Sequence, residues 1–326
     1  MPEKFAQTND NQRQRAEILD GARVADEIKR EVGEEVARLR SEYNVQPGLV
    51  VIRVGDDPAS AVYVRNKVRT SEALGLYSEH HALAATTTTN ELLKLVQTLN
   101  QRDDVDGILV QLPLPREVDE ARVLEAVDPE KDVDGFHPLN VGRLALGQDA
   151  LAPCTPAGII ELLTRSEIPI SGARACIVGR SNIVGRPLAQ LLLQRDATIT
   201  ICHSRTRDLA SVTREADILI AAIGRVGFIR AEHIKPGATV IDVGINKVTD
   251  VQTARELFGA EEINERLEKI AQRGYTLAGD VNPMEADKVA GRRTPVPGGV
   301  GLLTVAMLMR NTLDAAVRRR NLRRGK

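Results

Sequence analysis

The sequence predicts an α/β fold of two α/β domains, and three observations carry that prediction. Short apolar, β-branched runs alternate along the chain with stretches of helical periodicity. The runs in the second half are apolar at nearly every position, as strands buried on both faces of a parallel sheet are. A length of 326 residues gives a prior for two domains, with a boundary expected near 150–160.

The elements follow in order. Residues 1–17 are polar, lack the apolar core of a secretory leader, and are expected to form a flexible tail. Ile18, Val24, Ile28, Val32, Val36 and Leu39 recur at helical spacing over 18–40, until Pro47-Gly48 breaks the pattern. LVVIRVG (49–55) reads as a strand, and DDPAS opens a helix near Ser60 that runs through Lys67 to about Gly75. EHHALAA (79–85) reads as a second strand, 89–102 as a helix, and VDGILVQLPLP (105–115) as a strand entering a proline-rich turn. RACIVG (174–179), ATITICH (197–203), ADILIAAIG (216–224) and GATVIDVGI (237–245) are the buried strands of the second half, with a helix over 185–195. An amphipathic helix follows residue 300.

Composition narrows the partners. Lys and Arg number 44 against 45 Asp and Glu, aromatics are 2%, and tryptophan is absent. That balance gives no electrostatic or stacking basis for nucleic acid, and no basis for a membrane surface. No apolar run reaches the ~20 residues of a membrane helix. Cys154, Cys176 and Cys202 are too few and too scattered for a disulfide framework or a Cys-x-x-Cys metal site. The expectation is a cytoplasmic protein without a metal. The basic end, RRRNLRRGK, reads as a solvated helix terminus.

RACIVGRSNIVGRPLAQLL has the strand–turn–helix context of a nucleotide loop. Gly179 ends the strand, Gly185 opens the helix, and Pro187 sits in the first turn, where its missing N–H costs nothing. The helix N-terminus suits a pyrophosphate. Ser181 stands where a second glycine is usual, so the loop alone also reads as an ordinary βα turn. The next strand ends ICHSRT. An acidic residue for a ribose 2′-hydroxyl is absent there; Ser204 and Arg205, with Arg180 in the loop, suit a 2′-phosphate instead. NADP is therefore favoured over NAD, with solvated loop arginines as the alternative.

In the first half, Tyr63 and Lys67 share a helix face beside the apolar stripe Ala61, Val64 and Val68. A lysine at the edge of a buried face can serve as general acid or base; it can also simply snorkel. Gln111 lies at a strand C-terminus, where open α/β sheets place ligands. Asp132 and Asp134 precede Gly135 in a turn, as turn formers or as a metal pair.

Together these segments resemble the bifunctional methylenetetrahydrofolate dehydrogenase/methenyltetrahydrofolate cyclohydrolase family, FolD. The matching stretches are ILDGARVA, VGDDPASAVYVRNK, DGILVQLPLP, PEKDVDGFHPLNVGRL, PCTPAGI, VGRSNIVGRP, CHSRT, IDVGIN, GDV and TPVPGGVG, in the family's order from about residue 18 to beyond 300. The resemblance implies a catalytic folate-binding domain of 18–155 plus 300–326 and a Rossmann-like, doubly wound NADP-binding domain of 156–299. The active-site cleft would lie between them. It implies that Lys67 is the acid/base of the cyclohydrolase step. Tyr63 would position the folate, Gln111 would hydrogen-bond the lysine and help tune its protonation, and Asp134 would bind the pterin's amino group and ring nitrogen. Leu112, Pro113, Pro295, Gly298 and Gly299 would complete the folate site. Thr155, Gly179, Arg180, Ser181, Val184, Gly185, His203, Ser204, Arg205, Gly224, Gly244 and Ile245 would hold NADP. A homodimer joined through the cofactor domains is also implied.

The implied reaction is NADP-dependent oxidation of 5,10-methylenetetrahydrofolate to the methenyl compound, followed by hydrolysis to 10-formyltetrahydrofolate. A dehydrogenase without the hydrolytic step, or a silent folate- or nucleotide-binding protein, are the alternatives. Two departures from the family, Asn282 after GDV and Leu302 where GGVGPMT has proline, are expected near the folate or cofactor contacts. Residues 248–274 read as a helical surface insertion.

Overall fold

Two parallel sheets organise the chain, which a computed structural model describes over residues 15–323. The chain begins with β1 (Glu17–Ile18) and α1 (Gly21–Tyr43). Asp20 caps α1 by accepting from Arg23 N at 3.0 Å, and the predicted apolar positions Val24 to Leu39 form its buried face. β2 (Gly48–Val54), α2 (Pro58–Ala73), β3 (Tyr77–Leu83), α3 (Thr89–Asn100) and β4 (Gly107–Val110) then build a three-stranded sheet in the order β3–β2–β4. Leu49, Val50, Val51 and Ile52 of central β2 are all fully buried, because helices cover both of its faces. A Thr88–Glu91 capping box starts α3. Short α4 (Glu120–Ala126) and α5 (Pro138–Ala145) follow, and then α6 (Cys154–Arg165).

The second sheet is built from β5 (Arg174–Val178), α7 (Gly185–Leu193), β6 (Thr198–Cys202), α8 (Leu209–Thr213), β7 (Ile218–Ala221) and β8 (Thr239–Asp242). An excursion follows: β9 (Asn246–Val248), α9 (Val251–Leu257), α10 (Ala260–Arg273) and β10 (Thr276–Ala278). α11 (Pro283–Ala286), β11 (Arg292–Arg293) and α12 (Val300–Arg319) complete the chain. The large sheet has the order β1–β11–β8–β7–β5–β6, all parallel. The chain steps outward from β5 to β6 and then crosses back to β7. That reversal opens a crevice at the C-terminal ends of β5 and β7, where doubly wound sheets bind ligands.

The layer between the sheets is shared. α12 packs on α1 and on α6, and one continuous core joins Val51 and Leu109 of the small sheet to Ile177, Ile220 and Ile241 of the large one. At Gly158 of α6 an added Cβ would meet Leu303 Cβ at 2.7 Å, so glycine there lets the two helices approach. α12 is long and apolar enough to cross a membrane by length and composition, but 72% of that stretch is buried inside the fold, as in a core helix.

Four expectations need revision. Residues 1–14 of the expected tail lie outside the described residues, but Ala16 is buried and Glu17–Ile18 pair with Arg292–Arg293 at the edge of the large sheet. A strand of two residues exists only through that distant partner and has no local signature. The expected boundary at 155/156 falls inside α6. The excursion over 246–278 is not helices alone, because the β9–β10 antiparallel pair closes it. The C-terminal arginines are not simply solvated: Arg319 and Arg320 both pair with Asp106, which is fully buried, at 2.7 and 3.0 Å.

Candidate active site

α2 delivers the lysine. Asp57 caps the helix by accepting from Ser60 N at 2.6 Å, and Val64 anchors its inward face. Tyr63 is 42% exposed and Lys67 only 8%, so the lysine is buried rather than snorkelling. Its Nζ donates to Gln111 Oε1 at 3.0 Å. Gln111 follows β4 directly, its N–H donating to Ile52 O at 2.8 Å. Its Nε2 donates to Leu112 O at 2.7 Å. Because the amide NH2 group is committed to a carbonyl, the oxygen is the end that faces the lysine. Leu112 thus fixes the orientation of the amide, and exposed Pro113 follows it.

The turn between α4 and α5 divides its two aspartates by role. Asp132 accepts from Gly135 N, His137 N and Asn140 Nδ2 at 3.1, 2.8 and 3.0 Å, so it is the turn former. Lys131 of the same motif is fully buried and donates to Leu99, Asn100 and Arg102 carbonyls, closing the C-terminus of α3. Asp134 faces the lysine and is hydrogen-bonded by the Cys154 side chain. Burial pushes its carboxyl above the ordinary aspartate value, with the Lys67 charge pulling it back. The same burial raises the Cys154 thiol, with Asp134 adding to it. Nothing local to PCTPAGI signals that Cys154 stands here.

A consequence for pH follows. If ionised Asp134 accepts from a bound substrate, binding is lost as pH falls through its raised pKa. The acid limb of kcat/KM is then expected at a higher pH than an ordinary aspartate would give. Asp134→Asn is expected to be low at every pH and to lack that limb. An acid limb unchanged in the variant would assign it to another group.

On α2, Tyr63 and Asn66 share a cleft of about 150 Å³ with Gly244, Ile245, Leu277 and the Pro295–Leu302 segment, including Gly298 and Gly299. Burial, then the neighbouring Tyr275, raise the Tyr63 hydroxyl, which keeps it protonated and able to donate. Leu302, 40% exposed, lines this cleft. Asn282 does not. It is 3% exposed and caps α11 by accepting from Glu285 N at 3.2 Å. Its expected place at a ligand contact gives way to a cap's need for a side-chain acceptor.

The nucleotide loops meet at the crevice. Val178 of β5 is in register with Cys202 of β6, so Gly179–Arg180 and His203–Ser204–Arg205 leave adjacent strand ends. An added Cβ on Gly185 would meet Gly179 O at 2.2 Å, and one on Gly179 would meet Ala222 O at 2.2 Å. Glycine at 185 therefore lets the α7 N-terminus come close to the β5 end, and glycine at 179 lets that end pass the Ala222 carbonyl. Ser181 Oγ accepts from Val184 N at 3.2 Å and Gly185 N at 3.4 Å, bonds long enough to be exchanged for a phosphate. Arg180, Ser204 and Arg205 are exposed. His203 Nδ1 accepts from Arg205 N at 3.1 Å, and Thr206 Oγ1 accepts from His203 N, which shapes that turn. Thr155 is instead hydrogen-bonded to Thr304 of α12 at 2.8 Å. The residues fit a dinucleotide: a close-approach glycine loop, a helix N-terminus and free guanidiniums one strand over.

Sequence reasoning missed two carboxylates behind this site. Asp280, fully buried, accepts from Ile223 N, Gly224 N, Arg225 N and Asn246 Nδ2 at 2.6 to 2.9 Å. Asp242 accepts from Gly244 N, Asp280 N and Val281 N, each at 2.9 Å. Burial pushes the Asp242 carboxyl up to about 7 against those N–H groups. Together they hold the loops that carry Gly224, Gly244 and Ile245. Their only local signal is an aspartate closing an apolar run, as in TLAGD and TVID.

A doubly wound sheet with a nucleotide-type glycine loop, joined to a smaller α/β sheet that carries a buried, hydrogen-bonded lysine–glutamine pair, is the arrangement of a two-domain α/β nucleotide-dependent enzyme. Residues 19–134 match the tetrahydrofolate dehydrogenase/cyclohydrolase catalytic domain, and 153–320 match the NAD(P)-binding domain of the same enzymes. The bifunctional protein FolD of Koribacter versatilis is 56% identical over 305 residues, covering 94% of this chain and 98% of that one. The Trypanosoma brucei methylenetetrahydrofolate dehydrogenase-cyclohydrolase, solved with NADP cofactor and an inhibitor, superimposes with a TM-score of 0.85 at 39% identity, covering 94% and 98%. The Campylobacter jejuni FolD structure gives 0.83 at 42%, covering 93% and 99%. The chain belongs to the tetrahydrofolate dehydrogenase/cyclohydrolase (FolD) family.

Proposed function

We propose that one cleft performs both steps, with the residues divided between them. The chain is a bifunctional folate one-carbon enzyme. It oxidises 5,10-methylenetetrahydrofolate to 5,10-methenyltetrahydrofolate with NADP and hydrolyses the product to 10-formyltetrahydrofolate. The observation that carries the division of roles is the Lys67–Gln111 hydrogen bond at 3.0 Å on the wall opposite the nucleotide loops.

Bound NADP supplies the hydride acceptor. The chain's own part in that step is orientation. Asp134 accepts from the pterin amino group and ring nitrogen, Tyr63 packs on the folate, and the Pro295–Gly299 segment closes the far side, so the methylene C–H is aimed across the cleft. In the second step water adds to the methenyl carbon. Lys67 takes one proton of the adding water and passes it to the ring nitrogen as that nitrogen's bond to the carbon breaks, while the proton of the new hydroxyl leaves to solvent as the formyl C=O forms. Gln111 keeps the lysine at the reacting atoms. Ser204, Arg205 and Arg180 take the 2′-phosphate.

We further place the enzyme in the cytoplasm, where its three free, buried cysteines stay reduced, and as a homodimer. β6 is an open edge of the large sheet with Ile201 exposed, and Leu193 at the end of α7 is 57% exposed.

The test is an absorbance assay of the purified enzyme with 5,10-methylenetetrahydrofolate, run with NADP and with NAD, for wild type and Arg205→Ala. Reduced nicotinamide with NADP and little accumulated methenyl compound is expected. Arg205→Ala is expected to raise KM for NADP about tenfold or more and leave that for NAD nearly unchanged. Accumulating methenyl product would remove the hydrolytic step, and equal losses for both nucleotides would sink the 2′-phosphate assignment. The mass of the same preparation, one or two copies of 35.6 kDa, decides the dimer.

A further inference from the structure

α10 lies in the excursion for which the sequence offered no role. Its apolar face, Ile263, Leu267 and Ile270, packs into a small core of its own with Val248, Leu257 and Phe258. Its fully packed side chain, however, is a charged one: Arg266 is 9% exposed. A buried guanidinium is costly unless its donors are used. Arg266 stacks over the Phe258 ring at 4.3 Å and is paired with Glu262 at 3.0 Å. Its Nη1 donates to Leu277 O at 3.2 Å and its Nη2 to Val296 O at 3.3 Å.

Both carbonyls belong to residues of the cleft wall. Leu277 and Val296 line the cavity shared with Tyr63. The Pro295–Gly298 backbone is poorly held otherwise. Pro295 and Pro297 have no N–H to give, and among the described residues the bond from Arg266 is the one side-chain hydrogen bond that reaches this turn. Behind it lies a second cavity of about 190 Å³, lined by Pro295, Val296, Arg266 and Phe258. The segment thus borders a second open space besides the cleft. Without the guanidinium it is free to sink into that space.

We propose that Arg266 is a positioning residue for the folate-side wall: the excursion braces Val296 and Leu277 from behind and so sets the width of the cleft opposite Tyr63. The role rests on the reading that Pro295–Gly299 face the folate. It acts through the wall and touches no reacting atom. It therefore affects both reactions through folate binding and leaves the nucleotide loops alone.

The test compares Arg266→Met, which keeps an unbranched chain over Phe258 and removes the donors, with Arg266→Lys, whose single nitrogen reaches fewer carbonyls, and with Glu262→Gln, which leaves the carbonyl bonds in place. KM for 5,10-methenyltetrahydrofolate is measured in the nucleotide-free hydrolysis assay, and KM for NADP in the dehydrogenase assay. Arg266→Met is expected to raise the folate KM about five- to tenfold, the loss of a charge-assisted hydrogen bond or two. Its NADP KM is expected to stay within about twofold, Arg266→Lys to fall between, and Glu262→Gln to match wild type. Unchanged folate KM in Arg266→Met, with only a lower melting temperature, overturns the proposal and leaves Arg266 a structural residue. If Arg266→Met does not fold, Arg266→Lys carries the same decision. Tyr63→Ala separates the two readings. If it raises the folate KM while Arg266→Met does not, only the bracing role fails; if neither does, the folate reading of the cleft fails with it.

Discussion

Lys67→Met is expected to lower hydrolysis of 5,10-methenyltetrahydrofolate by about 10²-fold or more, the usual scale for removing a positioned acid–base group. Methionine keeps the length and apolar stem of the side chain, so the 8% exposed site stays filled. The loss is expected in kcat, with KM for NADP unchanged, because the nucleotide loops lie on the other sheet. Gln111→Leu is expected to fall in the same direction by a smaller factor, since it removes the acceptor at 3.0 Å and leaves the lysine itself in place. Hydrolysis at the wild-type rate in Lys67→Met, followed by loss of methenyl absorbance, would remove the lysine from the mechanism.

Asp280→Asn is expected to have the largest effect on the other half of the chemistry. The carboxylate accepts four donors, three of them consecutive backbone N–H groups from Ile223 to Arg225. An amide in its place turns an NH2 group toward some of them. Losing about two charge-assisted bonds and burying the mismatched donors costs about 3 kcal/mol. Much of that falls on the loop that presents Gly224, so KM for NADP is expected to rise about 10²-fold. Hydrolysis of the methenyl compound, assayed without nucleotide, is expected to keep most of its rate. Equal loss of both activities would mean that Asp280 supports the whole fold and not the nucleotide loops.

What could be read beforehand follows from how local each cause is. β2 was legible because burial of both faces makes LVVI apolar at every position. Lys67 and Gln111 were legible as members of long, ordered motifs, and their contact follows from α2 and β4 flanking one sheet. α4, α5 and α11 start at real caps, Asp119, His137 and Asn282, but seven, eight and four residues are too few for periodicity to show. β1 exists only through its distant partner strand. Arg266 was illegible for another reason: in EEINERLEKIAQR it reads as one more charge on a solvated face. Only Phe258 and the carbonyls of Leu277 and Val296, brought in by the tertiary fold, reveal that it points inward. Asp106 is similar, an unremarked aspartate at the start of the VDGILV run until two arginines from the far end of the chain arrive.

The helix layer common to both sheets makes the core a measuring gauge. Leu303, fully buried where α12 crosses α6 at Gly158, helps set the distance between the wall that carries Lys67 and the crevice that takes the nucleotide. Hydride transfer is intolerant of misplacement at the scale of an ångström. In such an arrangement the tolerance of the reaction is written into apolar side chains that never meet a ligand, and the spacing of folate and nicotinamide is inherited from packing between helices.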